Sequence, residues 1–203
     1  MAEKIILKLL LVLALPNFLA AQQEDKIVSL NKLLMVQATI SPGYMFYKGG
    51  LWNSYFHATL EWCFDDKVSI RSDGSYFFTT QGDYKLFKMN HSLLLGAFYH
   101  FPKKKCDFYL GLQPGAALVQ QTPYTYNDST ISNPRLKVAP IMTATIGANY
   151  FFWKYMNMFV ALKIVHGTHI SEYGTSIPLD ELRISAGLGW QLQFKKKNVT
   201  PVN

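Results

Sequence analysis

The chain has 203 residues, of which 49% are hydrophobic and 15% aromatic, while only 16% are charged. Charge this sparse is unusual for a soluble domain, and no apolar run beyond the first twenty residues is long enough to cross a bilayer as a helix. The formal net charge of +7 is concentrated in Lys103-Lys104-Lys105 and Lys195-Lys196-Lys197, neither interleaved with aromatics, which excludes a nucleic-acid groove.

The first segment reads as a leader rather than as part of the fold. Lys4 and Lys8 give a positive start, Leu9 to Leu15 an apolar run, and Leu19-Ala20-Ala21 small residues for cleavage before Gln22. Residues 1–21 are therefore expected to be a signal peptide. The mature chain then carries 18 basic and 12 acidic residues, or +6.

Period-two alternation follows eight times, the signature of strands. In the first strand Leu34, Val36, Ala38 and Ile40 alternate with Gln37, Thr39 and Ser41. In the second, Phe56, Ala58, Leu60, Trp62 and Phe64 alternate with His57, Thr59 and Glu61. The third sets Val68, Ile70, Tyr76 and Phe78 against Lys67, Ser69, Arg71, Asp73 and Ser75. The fourth, near 91–101, is blurred by Leu93-Leu94-Leu95. The fifth sets Phe108, Leu110, Leu112, Ala116 and Leu118 against Asp107, Gly111, Gln113 and Gly115. In the sixth, Val138, Met142, Ala144, Ile146, Ala148, Tyr150 and Phe152 oppose Lys137, Thr143, Thr145 and Asn149. The seventh sets Met156, Met158, Val160, Leu162 and Ile164 against Asn157 and Lys163, with Phe159 breaking the polar face. The last is clearest, with Leu182 to Phe194 apolar at every even position.

Connections alternate in length. Asp65-Asp66, Pro102 to Lys105 and Lys154-Tyr155 are short. Thr80–Asn90, Gln121–Arg135 and Gly167–Asp180 are long, and the join at Gly49-Gly50 is intermediate. This pattern predicts an all-β, eight-stranded antiparallel transmembrane β-barrel with up-and-down order over 22–194. A basic tail, 195–203, follows it. An even strand number puts both termini in the periplasm.

Two arguments place the apolar face outside. Eight strands enclose a space just wide enough for side chains, too narrow for rows of Trp and Phe. The aromatics also sort by height: Trp62, Phe64, Tyr99, Phe101, Phe108, Tyr150, Phe152, Trp190 and Phe194 at one end, and Tyr44, Phe46, Phe56, Tyr76 and Phe78 at the other. Those are the girdles of a membrane barrel. Pro42, Pro114 and Pro140 lie within strands and predict bulges or strands that project beyond the lipid. Cys63 should point inward and Cys106 outward on non-neighbouring strands, so no disulfide is expected.

The stretch Gly147-Ala148-Asn149-Tyr150-Phe151-Phe152, with the closing Gly187-Leu188-Gly189-Trp190-Gln191-Leu192-Gln193-Phe194, resembles the end of small OmpA/OmpW-like outer-membrane barrels of Gram-negative bacteria. The resemblance implies fold and location, not activity. With the last strand near the end of the chain, no appended peptidoglycan-binding domain is expected.

Two constellations carry candidate chemistry. Glu61 and Arg71 are symmetric about the 65–67 turn and should face each other, while Lys163 and Arg183 line neighbouring strands. They read as a buried ionic network in a narrow interior, or as the gate of a small pore. The second is His166-Gly167-Thr168-His169-Ile170-Ser171, with Glu172, Asp180 and Glu181 nearby. It resembles lipid A deacylase barrels of the PagL type. That resemblance implies His169 as base, Ser171 as nucleophile and Glu181 as the orienting carboxylate on the lipid-facing wall. His166 and Thr168 form a second pair at the same spacing. Glu172 stands where that family has Asn, and the strand register turns His169 inward.

No P-loop, dinucleotide fingerprint, zinc spacing or repeat is present, and His57 and His91 read as simple polar positions. No cofactor and no metal are expected. The expected role is a non-enzymatic outer-membrane barrel, a structural component or a subunit of a cell-envelope complex. Its expected partners are outer-membrane lipid and lipopolysaccharide, and other envelope proteins at the long loops. Nucleic acid is not among them. The deacylase and a narrow porin-like channel stand as alternatives.

Overall fold

Alternation of side chains along each strand is realised almost residue by residue in a computed structural model. It describes residues 28–194 apart from 48, 83–84, 127–128, 132–133 and 172–175. The expected signal peptide and basic tail, and Glu172, lie outside the described residues. Among the described residues eleven strands follow one another: β1 (Leu33–Met45), β2 (Leu51–Cys63), β3 (Val68–Thr80), β4 (Phe87–Lys103), β5 (Cys106–Gln121), β6 (Tyr124–Tyr126), β7 (Ser129–Ile131), β8 (Lys137–Trp153), β9 (Met156–Ile170), β10 (Ser176–Pro178) and β11 (Glu181–Gln193). Eight of them, β1–β5, β8, β9 and β11, pair in that order and close antiparallel, β11 on β1. Closure satisfies the backbone without leaving an edge. The remaining three are loop elements: β6 and β7 pair as a hairpin between β5 and β8, and β10 adds to the end of β9.

The short joins, 64–67, 104–105 and 154–155, gather at one end, here the turn rim. The long ones gather at the other, the loop rim. At the turn rim Asp65 Oδ1 accepts the backbone N–H groups of Lys67 (2.7 Å) and Val68 (2.8 Å), which fixes the turn. Those two donors hold its carboxyl below the ordinary aspartate range. Lys104 takes the left-handed conformation (φ 55°) that a two-residue connection demands. The segment before β1 folds under the barrel, tied by Asp66 Oδ1 to the N–H groups of Leu30 and Asn31 at 2.6 and 3.1 Å.

The outward face carries Val36, Ile40, Leu60, Leu112, Ile146, Val160 and Leu192, all exposed. Among the described residues, large exposed apolar side chains ring the barrel, a surface suited to hydrocarbon rather than water. Leu93-Leu94-Leu95 resolves as the rest does: Leu93 and Leu95 point out and Leu94 points in. Cys63 is buried, Cys106 is partly exposed, and both are free.

Two expectations need correction. Register shifts occur at Ser54/Tyr55, Phe87/Met89 and Phe151/Trp153, not at the prolines. Pro42, Pro114 and Pro140 all face outward, and register is the same on either side of them. Strands of 13 to 17 residues exceed the nine to eleven or so that a bilayer needs, so there is length to spare. Lys67 is exposed in its turn rather than inside.

The interior is also less uniformly polar than alternation implied. Toward the loop rim the inward residues are apolar: Met45, Leu51, Phe77, Phe87, Leu94, Val119, Ile141 and Val165 form a buried cluster. Toward the turn rim Leu30, Leu33, Met35, Cys63 and Phe151 form a second. Between them lies the polar core.

Three of the large inward rings fit because each lies across a glycine of the next strand. Phe98 pairs with Gly111, Tyr109 with Gly147 and Phe159 with Gly187. A Cβ on Gly147 would stand 2.5 Å from Tyr109 Cζ, and one on Gly187 3.2 Å from Phe159 Cε1. Phe159, which interrupts the polar face in the sequence, is thereby explained.

Candidate functional site

The polar core begins with the pair the sequence puts opposite one another. Glu61 and Arg71 are register partners on β2 and β3, and Arg71 Nη2 donates to Glu61 Oε2 at 2.6 Å. The guanidinium lies between two rings, 4.0 Å from the centre of Phe98 and 4.2 Å from that of Tyr109. Burial of this kind suits the planar, weakly hydrated Arg better than Lys.

From Glu61 the bonding runs around the whole barrel. Glu61 Oε1 meets His100 Nε2 at 3.0 Å and takes the Ser69 hydroxyl as well. His100 Nδ1 meets Asp107 Oδ2 at 2.8 Å. That oxygen accepts from Asn149 Nδ2 at 3.1 Å. Gln37 Nε2 donates to Asn149 Oδ1 at 2.9 Å and to Asn157 Oδ1 at 3.1 Å, and Asn157 Nδ2 donates to Gln191 Oε1 at 3.1 Å. Every one of the eight barrel strands contributes a member to this belt.

Two contacts cross the lumen outright. Lys163 is bonded to Asp73, and Arg183 Nη1 donates to Ser92 Oγ at 3.2 Å. In the closed order, β9 stands opposite β3, and β11 opposite β4. Arg183 is also bound by Glu181 Oε2 at 2.7 Å and stacks 4.0 Å over the Tyr55 ring. Glu181 in turn accepts from Tyr55 Oη (2.9 Å) and Asn53 Nδ2 (2.9 Å). Lys163 and Arg183 are register partners, as their neighbouring strands imply, but each bonds elsewhere. Like charges side by side are tolerated because each has its own carboxylate.

Sequence reasoning found Glu61, Arg71, Lys163 and Arg183 but not their full company. Asp73 appeared as a polar-face residue without a partner. His100 escaped because the leucine run hid the parity of its strand. Asp107 likewise appeared on the polar face of the fifth strand without a partner.

The second constellation divides between the two faces. His169 and Ser171 are buried. Glu181 pairs with Val165, four residues from His169 along β9, about 13 Å at strand rise. Its carboxylate is committed to Tyr55, Asn53 and Arg183, so it does not orient His169, whose Nδ1 has no hydrogen-bond partner. The other pair faces outward. His166 and Thr168 are both exposed, and Asp180 Oδ1 bonds His166 Nδ1 at 2.6 Å.

This pair sits near the loop-rim aromatics. Leu182 pairs with both Ile164 and Tyr44, and His166 lies two residues beyond Ile164 toward the loop rim. Tyr44 packs edge-on against Phe46 and Trp52. Further down the same wall is an apolar groove of about 510 Å³, floored by Gly147, Ala148 and Ala161 and sided by Phe108, Leu162 and Ile184.

No family model matches the chain. No curated protein matches its sequence. Solved structures do match. OprG of Pseudomonas aeruginosa superposes with a TM-score of 0.60 at 11% identity, over 81% of this chain and 97% of that one. Neisserial surface protein A gives 0.59 at 11%, over 80% and 96%. The N-terminal barrel domain of Pseudomonas aeruginosa OprF gives 0.51 at 12%, over 81% and 100%. At such identities the likeness speaks for fold: this chain is built as the small eight-stranded outer-membrane barrels of Gram-negative bacteria are built.

Proposed function

We propose that the chain is an outer-membrane barrel without an open pore, a structural component or envelope-complex subunit that acts through its wall and loops. In this reading the loop rim faces outward, both chain ends lie in the periplasm, and lipid and lipopolysaccharide contact the wall. Other envelope proteins meet the loops. The observation that carries it is the pair of contacts across the lumen, Lys163 to Asp73 and Arg183 to Ser92, with apolar clusters on either side. A conducting path would have to break buried ion pairs, which is costly, so the porin-like alternative is disfavoured. Purified protein in planar bilayers should stay silent across a wide voltage range. Regular single-channel steps that disappear on adding antibody to the loops would overturn the reading.

The His166–Asp180 pair favours a second reading, a lipid ester hydrolase on the outer wall. Asp180 would hold the imidazole so that Nε2 takes a proton, and Thr168 supplies a hydroxyl two residues away on the same face. Thr168 Oγ1 would attack an acyl ester carbonyl and pass its proton through His166 to the departing alcohol. Water would then release the acyl group from Thr168. The groove along this wall suits an acyl chain. Lipid A from cells making the wild-type protein should lack an acyl chain that His166→Ala cells retain. Identical mass spectra would end this reading.

A further inference from the structure

Glu61, Cys63 and His100 stand together inside the turn rim. Each is buried, and one ligand atom of each lies within 4.8 Å of the other two. Alternate residues of β2 bring Glu61 and Cys63 to the same inward face, and β4 delivers His100 from two strands away. The belt of ion pairs accounts for Glu61 and His100. It does not account for the thiol, which forms no disulfide.

We propose that these three side chains form a binding site for one divalent transition-metal ion of zinc type. The donor set is thiolate, imidazole and carboxylate, the mixture that tetrahedral zinc takes. The surroundings already make the arrangement a metal site needs. Asp107 Oδ2 holds His100 Nδ1 at 2.8 Å, which fixes the ring and leaves Nε2 for the ion. Arg71 holds Glu61 Oε2 at 2.6 Å and leaves Oε1 facing His100. Ser69 Oγ touches Glu61 Oε1 and lies 2.8 Å from His100 Nε2, so a hydroxyl adjoins two of the three donors. Beside the cluster, Asp107 Oδ1 is buried with no hydrogen bond.

Binding balances simply. The ion displaces the Cys63 thiol proton and any proton on His100 Nε2, and no electron moves. Leu30, Leu33, Met35 and Phe151 pack around Cys63 as an apolar lid. The ion therefore enters while the chain folds, and it is retained once the lid closes.

The test refolds the full chain into detergent micelles with zinc, or with cobalt as a coloured substitute, followed by dialysis against a weak chelator. The expected result is one zinc per folded chain by mass spectrometry of the metal, and a thiolate-to-cobalt charge-transfer band. Cys63→Ala and His100→Gln should each abolish both, while Cys106→Ala leaves both unchanged. Folding is checked by heat-modifiable gel mobility. If a variant fails to fold, wild-type protein decides alone through the cobalt band, which reports sulfur ligation directly. Folded wild-type protein without that band, or metal content equal in Cys63→Ala, overturns the proposal.

Discussion

Glu61→Gln should destabilise the folded barrel by about 3–5 kcal/mol, the cost of leaving a buried charge without its partner. Arg71, fully enclosed by Phe98, Tyr109 and the wall, has no route to water. The same substitution weakens the bond to His100, so the loss spreads along the belt. Arg71→Met should cost somewhat less, because Glu61 loses its guanidinium but keeps His100 and Ser69 on its other oxygen. The double variant Glu61→Gln with Arg71→Met should recover most of the loss, since it removes both charges and keeps the volume. Reversible unfolding in urea, followed by gel mobility in detergent micelles, measures all three. Equal, additive losses would show that the two residues act independently.

Glycine at 96 should prove harder to replace than glycine at 74. Gly96 is the register partner of Arg71. A Cβ there would run into the Leu112 carbonyl oxygen and lie 2.6 Å from Gln113 Cα. Both are backbone atoms of the next strand, so no rotamer change relieves the clash. Even Gly96→Ala must push β5 away from β4, at about 1–3 kcal/mol or more. Gly96→Val should leave a large share of the chain unassembled. Gly74, on the neighbouring strand, has nothing within 4 Å of its would-be Cβ. Gly74→Ala should be neutral, or stabilising by about 0.5–1 kcal/mol. The folded fraction after refolding into detergent separates the two variants, and equal yields would contradict the packing argument.

Much of the architecture was legible because a barrel writes itself in parity. One face of every strand meets the outside and the other the inside, so alternation from Leu182 to Phe194 fixes both. The turn and loop lengths add the order. The Glu61–Arg71 pair followed from symmetry about one short turn. Contacts across the lumen did not, because nothing in a linear pattern relates Asp73 to Lys163, ninety residues apart. The aromatic–glycine pairs were hidden for the same reason: Phe159 looks like an error until Gly187 is placed opposite it. The apolar cluster at the loop rim escaped since strand ends were read as fraying into loops, whereas β4 and β9 continue as strands there. The PagL-like spacing named two overlapping pairs, and only the face each takes separates them. His169 goes inside and His166 outside.

The belt that reaches all eight strands has a consequence for how the molecule comes to exist. Gln37, on the first barrel strand, reaches partners 112 and 120 positions away, and the two contacts across the lumen join residues 90 and 91 positions apart. A half-made sheet cannot complete it. Spread flat in lipid, such a sheet would present Arg71, Lys163 and Arg183 to hydrocarbon, an expensive exposure. Insertion and closure must therefore be one event. The rate at which the chain enters a membrane is then set by the slow meeting of its two ends, and the interior chemistry acts as a toll on any route that inserts strands one at a time.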